Sequence, residues 1–169
     1  MLPEKLLIQF QNLITNKAGS DIAPHKPILL LSVIDLIESG VIKSAFIPIS
    51  EELQRQFKMN WKRYVPRTSR FNCGMQYPFY HLSSSAFWHL RQTETGDGKA
   101  PSSMAALKRN FVGAAIDEEL FVILNNENCR EELRTLLIST YLSDSKPTVG
   151  INLLAAFTMV RLLVSVMAN

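Results

Sequence analysis

The run Ala23-Pro24-His25-Lys26-Pro27-Ile28-Leu29-Leu30-Leu31 decides how the rest of the chain is read. Two prolines three residues apart fix the backbone where a helix begins, because the ring presets φ near about −65° and lacks an N–H that the first turn leaves unpaired anyway. From Pro27 onward Ile28 to Ile37 form an almost unbroken apolar run, closed by the stop signal Ser39-Gly40. A helix apolar on every side belongs inside a domain, so this one is predicted to be the buried centre. His25 and Lys26 then stand at its N-terminus, where free backbone amides favour an anion and a phosphate is the natural guest. Taken alone, the same pair fits a plain helix entry with two solvent-facing polar residues.

Outward from this centre, Leu6, Leu7, Phe10, Leu13 and Ile14 recur at helical spacing behind Pro3, which predicts an amphipathic helix over residues 3–16. Asn16 to Pro24 supplies turn chemistry. Ala45 to Ile49 reads as a short strand, and Ser50 followed by Glu51 and Glu52 caps a helix running to about Tyr64. Val65 to Pro78 is rich in Pro, Gly, Asn and Ser and reads as a long loop. Phe79-Tyr80-His81-Leu82 and Phe87-Trp88-His89-Leu90 flank a serine-rich turn and predict an antiparallel β-hairpin. A second loop spans Gln92 to Pro101, Ser102 or Ser103 caps a short helix through Arg109, and helices begin at Asp117-Glu118-Glu119 and at Asn128. The fold class this predicts is α+β, a mainly helical single domain with a small antiparallel β-hairpin.

At 169 residues, 47% hydrophobic and 20% charged, the chain is globular and one domain long, which excludes disordered and collagen-like classes. Its two cysteines, Cys73 and Cys129, lack the spacing of a disulfide framework or zinc site, and the N-terminal stretch, with Glu4 and Lys5 beside Leu6, Leu7 and Ile8, lacks the long apolar core and small-residue cleavage site of a secretion signal; a reducing cytoplasm is expected. The net charge of +3 is modest, but its distribution is not. Between Leu53 and Thr93 there is no Asp or Glu, while Arg55, Lys58, Lys62, Arg63, Arg67, Arg70 and Arg91 all fall there. Such a window suits either a nucleic-acid partner or a solvated basic face. Ile151 to Ala168 is nearly all apolar; Arg161 within it opposes membrane insertion, so residues 143–169 are read as a helix packed on the core or in a homodimer.

Catalytic signatures are missing: no phosphate-binding Gly-rich loop with its lysine, no His-Glu-x-x-His, no Gly-x-Ser-x-Gly, no carboxylate cluster for magnesium. The three histidines, His25, His81 and His89, are the remaining candidates for a metal site, with packed or capped histidines as the sounder reading.

The order Ala-Pro-His-Lys-Pro with a leucine-rich helix, then Tyr77-Pro78-Phe79-Tyr80-x-Leu82, then Phe87-Trp88-x-Leu90, then Leu107-Lys108-Arg109, resembles the sulfur-binding domain of the McrA-type modification-dependent HNH restriction endonucleases. The likeness covers roughly residues 5–142 and makes 1–142 the recognition domain. It implies a module, without catalysis, metal or cofactor of its own, that binds duplex DNA carrying a phosphorothioate, in which sulfur replaces one non-bridging oxygen. By the family pattern, Tyr77 and Pro78, with His81 at the edge, line a small apolar cavity for the sulfur; His25, Lys26, Lys108 and Arg109 hold phosphates and bases. Arg67, Arg70 and Asn72 join the DNA-binding set on charge and position. Against the family pattern, Asn110 ends the basic run early and Ala114-Ala115 stand where a glycine pair is usual, which puts the base preference in doubt. Without the likeness, Tyr77-Pro78 and the aromatic segments read as ordinary core. The rivals are a modification-independent DNA-binding module, a nuclease in its own right or part of an HNH endonuclease whose catalytic domain lies elsewhere, and a membrane-attached interaction protein.

Overall fold

The computed structural model describes residues 1–18 and 21–143. The helix that opens at the Ala-Pro-His-Lys-Pro run is α2 (His25–Glu38), and apart from His25, Asp35 and Glu38 every one of its residues is buried. Pro24 precedes it and Pro27 is its third residue, so both prolines sit where the missing N–H breaks no intrahelical bond. Against it pack α3 (Glu51–Tyr64), α4 (Gln76–His81) and α7 (Glu127–Tyr141); α1 (Glu4–Gln11) and α6 (Glu118–Leu124) pack on α7, and α5 (Met104–Asn110) lies beside α4. The caps follow the sequence: Ser50 Oγ accepts from Leu53 N at 3.1 Å, and Ser103 Oγ accepts from Ala106 N at 3.1 Å. Helix α7 starts one residue earlier than expected, because Asn126 takes the cap by accepting from Cys129 N at 3.1 Å.

The strands are β1 (Lys17–Ala18), β2 (Asp21–Ile22), β3 (Phe46–Pro48), β4 (Trp88–Gln92) and β5 (Phe111–Ile116). β1 and β2 form a minimal hairpin inside the expected turn, and β3-β5-β4 form an antiparallel sheet. The α+β class therefore stands, but the expected hairpin of residues 79–90 does not exist. Residues 76–81 are helical, Leu82–Ser84 continue as a 3-10 turn, and β4 pairs instead with β5, Trp88 opposite Ile116. The reason is periodicity. Met75, Pro78, Phe79 and Leu82, spaced i, i+3, i+4 and i+7, are all buried, which is a helical stripe rather than an alternation.

β5, absent from the expected elements, is the central strand. Gly113 lets it lie close to β3, since a Cβ there would come within 2.5 Å of the Ile47 carbonyl oxygen and of the Phe46 ring. The first helix is also shorter than residues 3–16: it ends at Asn12, and Leu13 N donates to Tyr141 Oη at 3.0 Å. Of the expected tail, 143–169, only Ser143 is described; the apolar run 151–168 lies outside the described residues. Among the described residues no helix is long and apolar enough to cross a membrane.

Candidate nucleic-acid interface

Two helix starts meet at one cleft of about 310 Å³. The first turn of α2 contributes His25 and Lys26; the first turn of α4 contributes Tyr77 and Pro78, with His81 from its last turn. Each helix has proline as its third residue, Pro27 and Pro78, so neither offers an amide there. Pro78 therefore presents carbon to the cleft, and Tyr77, Ile14, Ala23 and Phe71 add further apolar surface. Helix α4 is held against the sheet by Trp88, whose Nε1 donates to the Phe79 carbonyl at 3.0 Å while its ring meets Phe79 edge-on at 5.2 Å. This anchor sets the position of Tyr77 and Pro78 from outside the cleft. Tyr77 itself is 49% exposed at the rim.

The polar groups of the cleft include one cation, Lys26, and two histidines, His25 and His81. Lys26 is only 8% exposed, so the expectation of a solvent-facing residue is corrected: its methylene stem is packed in the core and its Nζ donates to Ser84 Oγ at 3.1 Å. Burial pushes the Lys26 ammonium below the usual lysine range. His25 Nε2 donates to the Asn72 carbonyl at 2.9 Å, which leaves Nδ1 as the position that takes up a second proton. Its ring lies 4.8 Å from that of Trp61 and 5.8 Å from that of Phe71. Burial lowers the His25 pKa, partly offset by the bond to Asn72, and His81 is lowered by burial and then by repulsion from Lys26. Among the described residues no carboxylate lines the cleft. An anion with an apolar, weakly hydrated atom would answer both the carbon walls and the Lys26 ammonium, and would favour protonation of the two histidines.

The remaining expected residues do not line the cleft. Asn72 reaches His25 through its backbone carbonyl, with its side chain exposed. Arg67 is exposed on the same loop. Arg70 lines a different cleft, of about 400 Å³, beside the end of α7, and pairs there with Asp21 at 3.5 Å, with both side chains more than half exposed. Although larger, that cleft gathers none of the other expected residues.

Lys108 and Arg109 are exposed in the last turn of α5, whose end is clamped by the loop before it. Thr93 Oγ1 donates to the Arg109 carbonyl at 2.7 Å, Asn110 Nδ2 donates to Asp97 Oδ1 at 2.6 Å, and a Cβ on Gly96 would strike the Asn110 carbonyl oxygen at 2.3 Å. Asn110, which replaces a base in the expected run, thus serves as a buried support. His89 does not join the other histidines; its Nε2 lies 2.8 Å from Asp117 Oδ1. Among the described residues no group of three or more His, Cys, Asp or Glu side chains is placed to hold a metal ion. Residues that sequence reasoning missed include Ser84, Phe71 and Trp61. Ser84 and Phe71 line the cleft and Trp61 packs against His25, all three only through tertiary packing.

A helical α+β domain with a cleft between two helix starts, which Lys26 and two histidines line and no carboxylate among the described residues does, has the form of a nucleic-acid recognition module. The chain belongs to the ScoMcrA-like DNA sulfur-binding domain family, whose model matches residues 3–160. Its fold is shared with the sulfur-binding domain of ScoMcrA, solved with phosphorothioated DNA, at a TM-score of 0.61 and 18% identity over 87% of this chain and 93% of that one. The sulfur-binding domain of SprMcrA, also solved with phosphorothioated DNA, matches at a TM-score of 0.59 and 19% identity over 85% of this chain and 88% of that one. A comparison with curated protein sequences gives no match.

Proposed function

We propose that this chain reads phosphorothioate linkages in duplex DNA, taking the backbone sulfur against Tyr77 and Pro78 while His25, Lys26 and His81 face the surrounding negative charge. The observation that carries this is the convergence of those five residues on one cleft that no carboxylate among the described residues lines. Sulfur is larger, more polarisable and less strongly hydrated than a phosphate oxygen, so it loses less on leaving water for a proline ring. An oxygen placed there without a donor costs on the order of 1 to 3 kcal/mol, a roughly tenfold to hundredfold preference for sulfur.

Lys108 and Arg109, with Arg67, Arg70 and Asn72 on the loop side, supply contacts to phosphates and bases that do not depend on the modification. Residues 1–142 act as the recognition domain of a modification-dependent restriction system in the cytoplasm, with cleavage left to an HNH domain or subunit. The test compares duplexes of one sequence with an Rp, an Sp or no phosphorothioate at a single step, at fixed salt. Preference for one stereoisomer over the unmodified duplex supports the proposal; equal affinity for all three would favour a modification-independent DNA-binding module.

A further inference from the structure

Helix α3 carries a basic face that the cleft itself does not use. Leu53, Phe57 and Asn60 point inward, and Arg55, Lys58, Lys62 and Arg63 are exposed on the outside. Glu51 and Glu52 lie beside Arg55 at helical spacing, but no acidic residue follows until Glu94, so Lys58 and Lys62 have no acid on their own turns. Ion pairs among the described residues use Arg70, His89, Lys99, Arg130 and Arg134, and none uses either lysine. Spaced i, i+4, the two ammonium groups are neighbours that repel one another in the free protein.

Their position joins them to the cleft. Trp61, one residue before Lys62, packs at a tilt against the His25 ring, and Lys58 lies near enough to Cys73 to favour its thiolate against the burial that disfavours it. Cys73 in turn follows Asn72, whose carbonyl holds the His25 ring. Lys108 and Arg109 are reached instead from the α4 side, through the Tyr80 hydroxyl that donates to Gly98 O at 3.3 Å on the loop clamping α5. Two separate basic surfaces therefore adjoin one cleft.

We propose that Lys58 and Lys62 form a second phosphate-binding stripe, which holds the DNA backbone along α3 on the His25 side of the cleft. The proposal rests on the DNA-binding reading of the cleft and extends its footprint. One helical turn separates the two lysines by about 5.4 Å to 6 Å along the axis. Backbone charges on each strand of a duplex recur about every 3.4 Å of its axis, so both lysines find phosphates without rearrangement of the helix. An acidic protein surface could meet the same charge, but the packing of Trp61 on His25 favours the polymer that enters the cleft.

The test uses the full chain with Lys58→Ala and Lys62→Ala combined, beside a charge-matched control with Lys5→Ala and Lys43→Ala, two exposed residues that do not line the cleft. Affinity is measured between 50 and 200 mM salt for modified and unmodified duplexes of one sequence. Loss of two phosphate contacts makes the log-log slope less negative by about 1.8, so the affinity deficit of the α3 variant is about twelvefold larger at the low end of this range than at the high end. That change on both duplexes, with the modified-to-unmodified ratio kept, the melting temperature unmoved and the control slope unchanged, supports the stripe. An unchanged slope in the α3 variant, or an equal change in the control, overturns it. Failure of the cleft reading is separately visible, as a parent protein that does not distinguish the two duplexes while the slope on unmodified DNA still reports the stripe.

Discussion

The two ends of α2 carry charge of the sign that a helix dipole disfavours: Asp35 and Glu38 near the C-terminus, and Lys26, beside the His25 imidazole, at the N-terminus. At the C-terminal end the molecule resolves this internally. Arg134 of α7 bonds Asp35 and Glu38 and also Glu131, Arg130 lies 3.8 Å from Glu38, and Gln56 and Asn60 of α3 donate to Asp35 at 2.8 and 2.7 Å. At the N-terminal end the buried ammonium has a serine hydroxyl, and no carboxylate among the described residues lines its cleft. Charges answered from within belong to the fold. Charges left unanswered beside a cleft point to a partner that brings the counter-charge.

The largest expected effect is at the resolved end. Arg134→Ala strips Asp35 of its cation and should cost the fold about 2 to 3 kcal/mol in urea unfolding, since one member of a partly buried network is left behind. Below the melting transition its preference between modified and unmodified DNA should be unaltered. A loss under about 0.5 kcal/mol would erase the contrast between the two ends.

Lys26→Met keeps an apolar stem and removes the charge. It should leave stability unchanged or slightly higher, because a desolvated cation is gone, while DNA affinity falls about tenfold or more through loss of a charge-assisted contact. Lys26→Ala removes the stem as well and should destabilise, which separates the packing role from the charge role. If Lys26→Met destabilises and leaves DNA affinity alone, the N-terminal charge is structural after all.

Lys108→Ala with Arg109→Ala should weaken modified and unmodified duplexes alike, by roughly fivefold to tenfold at moderate salt, and flatten the salt slope by about 1.8. An unchanged slope would remove both from the interface.

The smallest effect is on pH. His25 and His81 are held below their ordinary value of 6.5 in the free protein. An anion in the cleft favours their protonated forms, so the complex holds more protons than the free protein and affinity should rise a few-fold as pH falls from about 8 to about 6. Stability of the free protein runs the other way: the unfolded chain takes up protons first, so the contribution is present above 6.5 and is lost as pH falls through the lowered folded values. Binding that weakened with acid would mean that neither histidine faces the negative charge.

Local signals were legible where they acted locally. The prolines around His25, the apolar run of α2, and the serine caps of α3 and α5 each specify a helix within a few residues, and each is where it was expected. What escaped was pairing. β4 joins β5 across an intervening helix, and β5 is an alanine-rich central strand tolerated through the close approach at Gly113, neither of which has a short-range signature. Residues 79–82 misled because aromatic alternation outweighed the stripe Met75, Pro78, Phe79 and Leu82, which marks α4. Of the cleft, the two polar runs were legible as separate motifs and the family resemblance joined them; their meeting point with Ser84, Phe71 and Trp61 depends on how α4 docks under Trp88.

The account's central claim is that Tyr77 and Pro78 supply discrimination between sulfur and oxygen, while the basic residues supply affinity for either. The direct measurement is the ratio of affinities for modified and unmodified duplexes of one sequence, at one salt concentration, for the parent chain, Tyr77→Ala and Pro78→Ala. The expected result is that both substitutions lower affinity for the modified duplex, by roughly tenfold to hundredfold, toward that of the unmodified duplex, whose own affinity scarcely changes. Retention of the full ratio by both variants would contradict the claim and place the sulfur elsewhere on the protein.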